Sequence, residues 1–286
     1  MAKIIRIGIA AFVLTFFPSI GYTSETDNHI RILEHTVTIT ITAPELSEST
    51  EVVDEALPIP YDEYRPITKT PQYVVAEALG TLITSEDETL IVTHDHWSLL
   101  QRETGSVRIG DSTGVQLLEL DLTSFKGQIV HRDGGTMILD ATPWSGYFYL
   151  GISSLSKTYT GAVHLLGEYV HVVYRDEHDG IVATKAVVAS VDHKASREII
   201  RLKLIGGVNL NGGDSGGGIW YQGSLLANTW TTIVGVDGRT GAEYATDSSI
   251  AALIPPPSTW RVQSHRVLTS AGISKGAQQR YPDNVN

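Results

Sequence analysis

From about Gln72 onward the chain breaks into short runs of β-branched and aromatic residues. Each run is closed off by glycine, aspartate, asparagine or serine. Candidate strands are Tyr73–Thr84, Thr89–Thr93, Val115–Leu122, Thr136–Leu139, Ala162–Leu166, Tyr169–Tyr174, Ile181–Val191, Glu198–Leu204, Gly218–Trp220, Leu225–Trp230 and Thr232–Val236. Turn signals such as Asp133-Gly134-Gly135 and His178-Asp179-Gly180 sit between them. Many short strands at this spacing predict an all-β sandwich or barrel. Upstream, Thr36-Val37-Thr38-Ile39-Thr40-Ile41-Thr42 alternates polar and apolar residues with period two, a strand with one wet and one buried face. Helical period is scarce. Its best instance is Thr246–Leu253, ended by Pro255-Pro256-Pro257.

The ends of the chain read differently. Lys3 and Arg6 precede an uncharged run from Ile7 to Thr23, with small residues near Gly21 to Ser24. This is the pattern of a secretory signal peptide over residues 1–23, with a retained anchor as the rival. Its removal would take the formal net charge of the 286-residue chain from −11 to −13. So acidic a surface argues against nucleic acid and anionic membranes as partners. The chain has no cysteine, which excludes disulfides and thiol chemistry. Residues 24–70 hold the first strand and then, from Glu45 to Glu63, seven acidic residues and no basic one, near Pro58 and Pro60. That stretch reads as a solvated linker or a pro-segment. A main domain over residues 71–262 and a polar tail over 263–286 complete the expected organisation.

Within the domain, Gly212-Gly213-Asp214-Ser215-Gly216-Gly217-Gly218 sets one serine among residues with little or no side chain. Glycines allow a sharp turn and a close approach to the main chain. That suits a nucleophilic hydroxyl flanked by N–H groups able to face an oxyanion. It equally suits an ordinary loop between strands. A serine at neutral pH needs a base, commonly histidine, and the base needs a carboxylate to fix its tautomer. Leu90-Ile91-Val92-Thr93-His94-Asp95-His96-Trp97 runs an apolar strand into two histidines. Two histidines on one strand face leave zinc binding open, as well as a purely structural pair.

Gly80-Thr81-Leu82-Ile83, followed by Ile91-Val92-Thr93-His94-Asp95-His96-Trp97, resembles the histidine region of trypsin-like (chymotrypsin-fold, PA clan) serine proteases. There a Gly-x-Leu-Ile strand precedes V-L-T-A-A-H-C. The Gly213-Asp214-Ser215-Gly216-Gly217 run matches the family's G-D-S-G-G, with Gly218 where proline is usual. The resemblance implies two six-stranded antiparallel β-barrels with the active site between them. It also implies His96 as the base and Ser215 as the nucleophile, with the Gly213 and Ser215 N–H groups as oxyanion donors. His before Ser suits this family; an α/β-hydrolase has the reverse order.

The third catalytic member departs from the family pattern. A family aspartate just before an apolar strand would fall on Gly135, ahead of Thr136-Met137-Ile138-Leu139. Asp133, two residues earlier, is the choice, with Asp140, Asp121 and Asp111 as alternatives. The base of the primary specificity pocket falls on Asn209. Leu225–Trp230 resembles the substrate-pairing strand, and Trp230 stands either in that site or in the core. Asp214 corresponds to the residue that pairs with a new N-terminal amine in activated relatives; local hydrogen bonds are the alternative. The expected activity is that of a secreted serine endopeptidase without a cofactor, acting on protein or peptide. A catalytically silent extracellular binding protein and an esterase remain as other readings.

Overall fold

The computed structural model describes residues 31–45, 72–85, 88–148, 153–154, 162–194 and 197–260. The expected signal peptide, the acidic stretch beyond Glu45 and the polar tail lie outside these residues. The first half contributes β1 (Thr36–Pro44), β2 (Tyr73–Ser85), β3 (Glu88–His94) and β4 (Ser106–Asp111). It adds β5 (Gln116–Asp121), β6 (Ile129–Arg132), β7 (Thr136–Asp140) and the two-residue β8 (Ser153–Ser154). They form one sheet in the order β5-β4-β1-β2-β3-β7-β6, antiparallel throughout, with β8 pairing parallel to β2. The second half supplies β9 (Tyr169–Arg175), β10 (Ile181–Lys194), β11 (Arg197–Leu204), β12 (Gly218–Tyr221), β13 (Ser224–Val236) and β14 (Glu243–Leu253). These close into a six-stranded antiparallel barrel, β10-β11-β14-β13-β12-β9. The expected pair of antiparallel β-bodies is therefore present. One closes on six strands, and the other is a seven-strand antiparallel path.

Period-two patterning explains the cores. In β1, Val37, Ile39, Ile41 and Ala43 point into the core of the first sheet, while Thr38, Thr40 and Thr42 are only half-buried. Each fully buried Val or Ile contributes about 1.5–3 kcal/mol of transfer free energy. A second core fills the barrel, and a third cluster lies between the two bodies. There Leu79, Ile83, Leu90, Val92 and Ile138 of the first sheet pack with Val173, Trp220 and Leu225 of the barrel.

Three expectations need correction. β1 is not outside the main domain, because it pairs with β2 on one side and β4 on the other. The boundary at residue 71 therefore cuts off an interior strand of the first sheet. Thr246–Leu253 is strand and not helix, because its backbone groups are taken by β11 and β13; pairing on both sides overrides a local helical period. Ala162–Leu166 is a 3₁₀ turn over Ala162–Leu165. In addition, Leu225–Trp230 and Thr232–Val236 form one strand, β13, with irregular register at Thr229/Thr231 and Thr232/Val234.

Candidate active site

The serine loop and the end of β3 meet between the two bodies. The Leu79 N–H, in β2, donates to the Ser215 carbonyl at 2.9 Å. Thr93 Oγ1 donates to the Leu79 carbonyl at 2.7 Å. Gly216 has φ +86°, and a Cβ there would overlap Leu79 O and Thr93 Oγ1 and stand 3.1 Å from the His94 N. Only glycine lets the loop lie this close to the strand that carries the histidines. The loop is also fixed to β13, since Gly216 N donates to Thr229 O and Thr229 N to Gly217 O, both at 2.8 Å.

Within the loop, Gly213 has φ +97° and Ser215 is half-buried. Among the described residues, no acceptor takes the N–H groups of Gly213 or Ser215. Asp214 is fully buried, and its carboxylate accepts from the N–H groups of Asn211 (2.6 Å) and Arg175 (2.7 Å). Burial raises its pKa, against the opposing effect of those two N–H groups and of the Arg175 charge. The Arg175 side chain also lies beside Gly213, with Nε 3.7 Å from where a Cβ would be. Local hydrogen bonds thus hold Asp214, the second of its two expected roles.

The two histidines have distinct settings. His94, the last residue of β3, is buried, and its Nδ1 accepts the His96 N–H at 3.1 Å. Its ring lies 3.9 Å from that of His96 and 4.5 Å from that of Trp97, measured between centroids. Trp97 Nε1 donates to the His94 carbonyl at 3.0 Å. Burial, and secondarily the nearby His96, lower the His94 pKa to about 3, so its imidazole is neutral at ordinary pH. With Nδ1 accepting, the proton of neutral His94 is on Nε2. His96 lies beyond the strand and is exposed. Burial of part of its ring lowers its pKa, opposed by the charge of Asp95. His94 Nδ1 is occupied, and no group of three candidate metal ligands gathers among the described residues.

The carboxylates are arranged otherwise than the sequence suggests. Asp133 Oδ1 accepts from the N–H groups of Gly135 and Thr136, both at 2.8 Å, closing a turn. Its other neighbours are His131 Nε2 at 3.6 Å and Arg197 Nη1 at 3.8 Å. Burial acts to raise the Asp133 pKa, but His131, the two N–H groups and Arg197 outweigh it and hold the pKa low. No described bond joins Asp133 to either His94 or His96. At Gly135 a Cβ would stand 2.5 Å from Arg197 Nη1 and 3.0 Å from Ala252 Cβ, so Arg197 fills the place where a family aspartate would begin. Arg197 also donates to the Asp133 carbonyl and lies over the Trp230 ring, 5.3 Å from its centroid. Asp95 is buried and accepts from Arg132 Nε and from the Gly134 N–H (2.7 Å), clamping the β6–β7 turn to the histidine segment.

The alternative aspartates have local structural tasks. Asp121 caps the short helix Leu122–Gly127 through the Ser124 N–H (2.8 Å). Asp111 closes a turn on Thr113 and Val115, and Asp140 accepts the Thr142 N–H. Asn209 is exposed. Its amide, oriented by its hydrogen bonds, donates to Val208 O (3.2 Å) and Thr246 O (3.0 Å). It lines a cleft with Tyr174, Arg175, Asp176 and Asn211. Trp230 is half-buried beneath Arg197. Sequence reasoning missed Arg197. No local signal marks it, because its partners lie on the β6–β7 turn more than 60 positions away.

No family model and no curated protein matches the sequence. Solved structures similar to this chain include the HtrA-type protease AlgW with a decapeptide, at 12% identity and a TM-score of 0.49. That match covers 86% of this chain and 68% of the other. The Rv3671c protease from M. tuberculosis in its active form is similar at 13% identity and a TM-score of 0.44. It covers 87% of this chain and 86% of its own.

Proposed function

We propose that this chain is an exported serine endopeptidase of the trypsin-like kind. The carrying observation is the docking of the Gly213–Gly216 loop against Leu79, Thr93 and His94, which brings Ser215 to the end of the histidine strand. In this reading Ser215 Oγ attacks the substrate carbonyl while His96 takes the hydroxyl proton. The developing oxyanion receives the N–H groups of Gly213 and Ser215, each such donor contributing about 3 kcal/mol to the transition state. His96 then returns the proton to the leaving amine, and water repeats the sequence to release the acyl group.

The reaction works as a serine–histidine pair, because Asp133 is engaged by the β6–β7 turn and Arg197 fills the space at Gly135. Proton transfer by a positioned base contributes about 10²–10⁴ in rate. With no carboxylate bonded to His96 among the described residues, the pair supports a slow enzyme. A second reading draws on that same Gly135–Arg197 arrangement: a silent relative that binds extracellular protein or peptide without cleaving it. Incubating the purified chain with an unstructured protein substrate separates the two. New peptide products that disappear in Ser215→Ala support the peptidase, and an intact substrate supports the binding protein.

A further inference from the structure

We propose that His94 is a positioning residue for His96: its ring is a platform for the His96 imidazole, and its Nδ1 anchors the His96 main chain. This rests on reading His96 as the base. A base needs its ring held toward the nucleophile, and the usual means is a carboxylate bonded to the far nitrogen. Among the described residues no carboxylate is bonded to His96, and Arg197 occupies the space at Gly135. The His94 side chain, two positions earlier, supplies two restraints instead.

The first is the hydrogen bond from the His96 N–H to His94 Nδ1, 3.1 Å long, which closes a tight local turn immediately beyond β3. The second is ring contact, with centroids 3.9 Å apart. The platform is itself held by packing. It is buried at the end of β3, packs on Trp97 at 4.5 Å with rings 17° apart, and has its carbonyl bonded to Trp97 Nε1. Trp97 in turn belongs to the core of the first sheet. His94 also borders the nucleophile loop, its backbone N lying 3.1 Å from where a Cβ on Gly216 would be. His94 therefore sets the relative placement of base and serine from one rigid point.

The arrangement requires a neutral His94. Protonation would remove the Nδ1 acceptor and set a cation against the base, and burial prevents this down to a pH of about 3. Among the described residues, the other charged or titratable groups near the pair are Asp95 with its partner Arg132, and, on and against the β6–β7 turn, Asp133 with Arg197 and His131. Only Asp95 acts appreciably on His96, and it opposes the lowering caused by burial.

Two variants separate the two restraints. His94→Phe keeps a ring and removes the acceptor; His94→Asn keeps an acceptor and removes the ring. The rate at which a fluorophosphonate modifies Ser215 is followed against pH, together with the NMR titration of the His96 ring, in protein whose fold is checked by circular dichroism. His94→Phe lowers the plateau rate about tenfold through misplacement of the base and leaves the His96 titration in place. His94→Asn uncovers His96, so its titration moves up toward the ordinary value of 6.5 and the acid limb of the rate follows it. Wild-type rates and an unmoved His96 titration in both variants overturn the proposal while leaving the peptidase reading intact. Absence of any modification in the wild-type protein overturns the peptidase reading, and with it the catalytic use of the platform, even where the His96 titration still responds to His94→Asn.

Discussion

The Ser215 carbonyl accepts the Leu79 N–H at 2.9 Å, so the residue proposed as nucleophile is bonded directly to a strand of the other β-body. The neighbouring Gly216 is pressed against the same strand. Gly216→Ala is therefore expected to destabilise the fold by roughly 2–5 kcal/mol, through overlap and a positive φ together. The urea midpoint should fall accordingly, and modification of Ser215 should be lost before the barrel unfolds.

Asn228 is a second tie across the seam. It accepts Thr136 Oγ1 at 2.7 Å and donates to Gly135 O at 3.1 Å, with all three groups buried. Asn228→Ala leaves a buried hydroxyl and a buried carbonyl without partners, at a cost of about 2–4 kcal/mol. Thermal unfolding should report the loss. A larger effect on the rate of Ser215 modification than on the melting temperature would show that the seam also aligns the site.

His94 predicts an acid-sensitive fold. Its ordinary pKa is 6.5 in an unfolded chain and about 3 in the folded one. Above 6.5 the folded and unfolded states are both neutral at this position. As pH falls from 6.5 toward 3, only the unfolded state takes the proton, so stability drops by at most about 1.4 kcal/mol per pH unit. His94→Phe removes this dependence, and the plot of unfolding free energy against pH should flatten across that window.

Arg197 and Gly135 compete for one space. Gly135→Asp alone is expected to cost about 1–3 kcal/mol as overpacking against Arg197 and Ala252. Paired with Arg197→Ala, the aspartate gains room, and the rate of Ser215 modification should rise relative to Arg197→Ala alone. A rate unchanged by the added carboxylate would show that this space does not lie behind the base.

What the sequence could and could not reveal follows the range of each interaction. Gly213–Gly217 and Thr93–His96 are contiguous motifs, legible because each carries its signal locally, and the fold sets the first against the strand that leads into the second. The alternation in β1 was equally plain. Its membership of the first sheet was hidden, because 28 residues, the acidic stretch among them, separate the end of β1 from the start of β2. Thr246–Leu253 misled because small and apolar residues there mimic a helical period, and only pairing with β11 and β13 decides. The partners of Asp133 are hidden for a related reason. A turn aspartate looks available until Arg197, His131 and two turn N–H groups are seen to hold it.

The central claim is that Ser215 is a nucleophile activated by His96. Mass-spectrometric mapping of the adduct formed with a fluorophosphonate tests it most directly. The account predicts a single adduct on Ser215, absent from Ser215→Ala and suppressed in His96→Ala. A folded wild-type protein that takes up no label, or takes it up unchanged when His96 is replaced, would contradict it.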